Sequence, residues 1–229
     1  MNPAFFGGYR GKTVDFARYS DRHRTSLAHF LNKGKWDSAA LETSLRQSVI
    51  EKVYQHSRET NQPVLCIIDD TIASKTRPSS QAVHPMEAAS NHMSHLKGQM
   101  DYGHQAIGVM LARGELVLNY AILLHDKTQS KIDLVSSIAD TKCWPVEVFF
   151  RTTKGKLALD KYQIRSAAGM RRFWLLMSLA HFLCCVGNGV LRSFSAGYAY
   201  WQNLVLRNAV QYVYNCGKNA IPLAMLGIG

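Results

Sequence analysis

Two apolar, β-branched runs, Gln105 to Leu111 and Glu115 to Leu124, flank Arg113-Gly114. A chain with that pattern turns back on itself as a β-hairpin. A third run, Val64 to Ile68 (VLCII), is short and continuously apolar, the mark of a buried strand. Together the three runs predict a three-stranded antiparallel sheet. The third run leads into Asp69-Asp70-Thr71, which puts two carboxylates at the C-terminal end of a core strand. Carboxylates there can converge on a hard divalent cation without being buried unpaired. Asp also caps turns at strand ends, and that blander role suits Asp69.

Helices are expected before and after these strands in the chain. Thr25 to Leu31 reads as a short helix ended by Lys33-Gly34. Asp37 is a plausible N-cap for the next one, with Trp36 and Leu41 at the positions of a hydrophobic staple. Leu41, Leu45, Val49 and Val53 then recur every four residues, so Ser38 to His56 is helical, and Asn61-Gln62-Pro63 breaks it. After the hairpin come a weak helix from Lys131 to Ala139 and an apolar one from about Ser166 to Val186. Gly187-Asn188-Gly189 stops the latter, and a last helix runs from Gly197 to Asn215. Ala73 to Met100 is loop-like and holds His84, His92 and His95. The H-x-x-H spacing of His92 and His95 has no third ligand in register, so it is not read as a metal site.

Composition limits the partners. An apolar share of 47% against 19% charged over 229 residues supports a sizeable core. A net charge of +11 favours a polyanion, with an anionic membrane surface as the competing explanation. The chain starts without a signal-peptide pattern. The longest apolar run, Phe173 to Val186, is too short to span a bilayer and contains His181. A cytoplasmic protein without a membrane segment is expected. Five cysteines with no C-x-x-C pair suit reduced thiols, not a disulfide framework or a structural zinc site.

Trp144 to Ser166 (WPVEVFFRTTKGKLALDKYQIRS) sets one acid, Glu147, in an apolar and basic run. From Arg151 to Arg172 seven Lys/Arg face one acid, Asp160. On a helix, Glu147, Phe150 and Lys154 share a face. An acid able to hold a metal then sits two turns from a cation able to hold a phosphate. The alternative is a solvated helix face with scattered charges.

VLCIIDDTIASKT, HMSHLKGQMDYGHQAIGVML and WPVEVFFRTTKGKLALDKYQIRS, in that order, resemble the DDE transposases of bacterial insertion sequences, in the group named after insertion sequence four. The resemblance covers the chain from about Arg24 onward. It implies an α/β fold with an RNase H-like core, here reduced to a three-stranded antiparallel sheet with packed helices. It also implies metal-dependent DNA cleavage and strand transfer at insertion-sequence ends, with Mg2+ or Mn2+ as cofactor. Asp70, directly before Thr71, matches the first catalytic carboxylate and metal ligand, and Glu147 matches the last. Lys154 matches the basic residue of the same signature, with Arg151, Lys161 and Arg165 as further DNA contacts. Two departures stand out. Asp140 and Cys143 replace the Tyr and Arg that the family places before its glutamate. The long stretch carrying the middle aspartate is missing, as if the front and back of a transposase were fused near Asp140 to Trp144. Asp126, Asp133 and Asp140 are the nearby substitutes.

The expectation is therefore a basic arm with helices in residues 1–60 and a catalytic domain in residues 61–229. Its partner is double-stranded DNA, and its catalytic power is impaired. The rival is a non-catalytic DNA-binding or inhibitory fragment. Loss of the middle segment also predicts an exposed strand edge and an apolar patch on the Phe173 to Val186 helix; either the remaining helices close over both, or the protein associates with itself or with an intact transposase.

Overall fold

The computed structural model describes residues 22–82, 86–95, 97–137 and 164–219. The fold is mixed α/β, compatible with the RNase H-like core of DDE nucleases. Helix α1 (Arg24–Lys33) and helix α2 (Ser38–Thr60) come first. The cap of α2 is the expected one, Asp37 accepting from the Ala40 amide. The helix runs one turn beyond His56 and stops at Asn61, which takes a left-handed conformation (φ 48°, ψ 45°).

The sheet has four antiparallel strands. They are β1 (Leu65–Ser74), β2 (Ser90–Ser94), β3 (Gln99–Arg113) and β4 (Leu116–His125). β3 is the spine. It pairs along one edge with β1 and along the other with β4 and, further toward its own start, β2. The hairpin turns where expected, at Gly114, whose φ of 58° favours glycine. β2 is the strand absent from the sequence reading, inside the stretch taken as loop. Among the described residues β1 pairs with β3 alone, and none of them pairs with its other edge.

Side-chain alternation gives each face its own core. Ala73, Ala106, Met110 and Leu124 point to one face and pack against Met170, Phe173, Trp174 and Met177. Those four belong to α4 (Ala167–Val186), which follows the short α3 (Lys131–Ser136). Cys66, Ile107, Val109, Leu111 and Leu118 point to the other face, against Leu45, Val49 and Val53 of α2 and Val135 of α3. α4 reaches this second cluster too, through Cys185 and Val186.

A 3-10 turn (Gly187–Gly189) then leads to α5 (Phe194–Lys218). Gly197 lets α5 cross α4 closely, since a Cβ there would lie 1.7 Å from the Cys184 carbonyl oxygen. Neighbouring elements close over most of α4, one of the two outcomes expected for its apolar surface. α4 is largely buried, and the exposed apolar side chains gather on α5 at Leu206, Val210, Tyr212, Val213 and Tyr214. β4, α1 and α5 pack against α4. No single described helix is long and apolar enough to cross a membrane; α4 and α5 meet that test only as a pair bent by 78°.

Candidate active site on the sheet face

Asp70 does not end its strand, as the sequence reading had it. β1 continues four residues further, because Thr71 and Ala73 bury on the α4 side and keep the strand in register with β3. Asp70 therefore sits inside β1, opposite Ile107, on the face that α2 and α3 cover. Along that face β1 changes from Cys66 and Ile68, which pack in the core, to Asp70 and Ser74. Asp69 falls on the opposite face, and its Oδ1 accepts from the Asp70 amide at 2.8 Å.

The carboxylate of Asp70 is held from two sides. Gln105, one step along β3, donates from Nε2 to Oδ2 at 3.1 Å. Lys131, at the first position of α3, donates its ammonium to the same oxygen. Gln105 is oriented in turn: its Oε1 lies 2.9 Å from His125 Nδ1, and His125 Nε2 lies 3.1 Å from the Gln129 carbonyl. The loop between β4 and α3 thus fixes the residues around Asp70. Its other lysine, Lys127, takes φ 67° and donates to the Asn91 carbonyl at 2.6 Å. His92 lies close by on β2, bonded to Ser90 Oγ at 2.9 Å. Burial lowers its pKa first, and the charges of Lys127, His125 and Lys131 lower it further, while Asp70 pulls the other way.

Further along the same face Asp101 accepts from Lys97 at 2.6 Å and from Ser74 Oγ at 2.5 Å. Burial works against its charge. The bonds from Lys97 and Ser74 and the lysine's charge prevail, so its carboxyl lies below the usual range.

Two of the substitute aspartates, Asp126 and Asp133, have local partners. Asp126 Oδ1 accepts from the Thr128 hydroxyl and amide, at 2.6 and 3.1 Å, and these bonds depress its pKa. Asp133 accepts from Ser130 Oγ at 2.6 Å in the N-terminal cap of α3. His92 and His95 do not converge: one is buried in β2 and the other exposed in the turn after it.

Glu147, Arg151, Lys154 and Lys161 lie outside the described residues, as does Asp140. Arg165 is exposed, and its carbonyl accepts from the Glu87 amide at 3.0 Å. Glu87 also accepts from the Ala167 amide at 2.9 Å and, through its carbonyl, from His104 Nε2 at 2.9 Å. His104 alternates with Gln105 along β3, so these bonds bring Arg165 in on the α4 side of the sheet, the face opposite Asp70. Ser166 Oγ donates to Asn32 Oδ1 and accepts from the Gly169 amide at 3.1 Å. Together these bonds fix where the chain leaves the Glu147 segment for α4.

Asp70 fits one position of a divalent-cation site, being a hard oxygen donor with a side chain 32% exposed. Among the described residues no three His, Cys, Asp or Glu side chains gather into a ligand set. A cleft of about 450 Å³ opens between α2 and α4 beside β4, lined by Glu42, Tyr120, Leu123, Arg171 and Arg172. Neither Asp70 nor its hydrogen-bond partners line it. The sequence reading missed Gln105, His125 and Lys131. The signals available were Gln105 beside the Tyr-Gly-His that opens the hairpin and the Ser130-x-x-Asp133 cap that sets Lys131 at a helix start.

Residues 12–182, well over half of the chain, match the family model described as DDE superfamily endonuclease. The chain belongs to that family of nucleases that act on DNA. Comparison with curated proteins finds no match, and comparison with solved structures finds none.

Proposed function

We propose that this chain is a transposase of the insertion-sequence DDE class that binds double-stranded DNA at the element's ends and is impaired in cleaving it. The observation that carries the reading is Asp70: in a chain of this family, it stands partly exposed on β1 among hydrogen-bonding and cationic side chains. Asp70 and Glu147 are proposed as ligands of Mg2+ or Mn2+. Such an ion would supply the Lewis acid that activates a nucleophile against a phosphodiester. Lys154, Arg151, Lys161 and Arg165 are the proposed DNA contacts. Residues 1–60 form the proposed N-terminal unit and residues 61–229 the catalytic one. An internal deletion near Asp140 to Trp144 accounts for the impairment.

A second reading, a non-catalytic DNA-binding or inhibitory transposase fragment, draws support from one specific feature. Asp126 and Asp133, the described candidates for a third carboxylate, are spent on local caps. The edge of β1 left unpaired among the described residues gives either reading a route to self-association or to pairing with an intact transposase.

Fluorescence anisotropy with duplex DNA tests the shared part. Charge reversal at Lys154, Arg151 and Lys161 should weaken binding more than reversal at Arg10 and Lys12. Equal losses at both sets would remove the Trp144 to Ser166 segment as the DNA contact.

A further inference from the structure

Lys131 and a divalent cation would share one carboxylate. The Lys131 ammonium sits on Asp70 Oδ2, and Gln105 Nε2 donates to that oxygen from the other side at 3.1 Å. The lysine is set there by construction. Ser130 caps α3 through the Asp133 amide at 3.1 Å, and Val135 anchors the helix in the core behind it. Both partners remain open to solvent, Lys131 at 46% and Asp70 at 32%, so an ion can reach the carboxylate and the ammonium can leave it. An ammonium and a divalent cation on one carboxylate repel each other, so each weakens the hold of the other.

We propose that Lys131 is a competing cation for Asp70: its ammonium occupies the carboxylate in the metal-free chain and gives way when Mg2+ or Mn2+ binds. The inference rests on the reading of Asp70 as a cation ligand. It makes Lys131 a residue that sets metal affinity, and Gln105, held by His125, the partner that keeps the carboxylate aimed outward during the exchange.

The test is Mn2+ binding to the full-length chain, read from the free-ion electron paramagnetic resonance signal. It needs the wild type, Lys131→Met, Lys131→Gln, Lys131→Arg and Asp70→Asn. A partly exposed ion pair of this kind restrains binding by roughly fivefold, since such pairs contribute at most about 1 kcal/mol. Lys131→Met and Lys131→Gln should therefore bind Mn2+ about fivefold more tightly, Lys131→Arg like the wild type, and Asp70→Asn not at all. Unchanged or weaker binding in both neutral variants overturns the competition, as does the absence of detectable binding in every chain. If Asp70→Asn binds like the wild type, the reading of Asp70 as a ligand fails instead. A purely structural lysine would lower the thermal midpoint on substitution and leave Mn2+ affinity where it was.

Discussion

Asp70 and His181 show how one sheet and its helices give two titratable side chains opposite environments. Asp70 is solvated and paired with Lys131. His181 lies buried on α4, its ring stacked on Phe194 with centroids 4.7 Å apart. Burial alone pushes its pKa down to about 3. The unfolded chain takes up that proton near the ordinary value of 6.5 and the folded chain only near 3. The contribution to stability is therefore complete above pH 6.5 and drains away as pH falls toward 3. His92 and His104 shift in the same direction, so the measure is a difference between chains. His181→Phe should remove about 2 kcal/mol of the stability lost between pH 6.5 and 5, read from urea midpoints. Identical pH dependence in the two chains would show that His181 is protonated in the fold.

The elements divide into those whose borders local chemistry sets and those that tertiary pairing sets. Caps and breakers were legible in the sequence: Asp37, Gly114 and Gly187 stand at the ends they announce. The far half of β1 was not, because Asp-Asp-Thr reads as a strand end until β3 offers it partners from Gly108 to Gly103. β2 was hidden for the same reason, since polar SNHMS gains strand character only by pairing with Gln99 to Gly103. The resemblance pointed to Asp70 as a candidate. Its contact with Lys131 was not legible, since 61 residues separate the two and only the fold of the β4–α3 loop joins them.

Two predictions belong to this scale. Gly197→Ala should cost about 1–3 kcal/mol in thermal or urea unfolding, because the added methyl group would run into the Cys184 backbone and force α5 off α4. Leu65 is 55% exposed at the start of β1, and Leu65→Lys should reduce self-association measured by sedimentation velocity. A wild type that stays monomeric at high concentration would show instead that the β1 edge is protected.

For the whole molecule, a +11 chain of a DNA-acting nuclease family should bind duplex DNA largely through phosphates. Affinity should fall on the order of a thousandfold or more between about 50 and 200 mM salt, with little sequence preference. A flat salt dependence would point to a different partner. The central proposal is narrower: that the chain keeps DNA binding and the Asp70 and Glu147 ligands without a third carboxylate to complete a working centre. Nicking of duplex DNA carrying the element's ends, assayed with Mg2+ and with Mn2+, tests it most directly. The account predicts binding without nicking above the level of Asp70→Ala. A metal-dependent nick abolished by both Asp70→Ala and Glu147→Ala would contradict it and make Asp133 the first residue to test as the missing ligand.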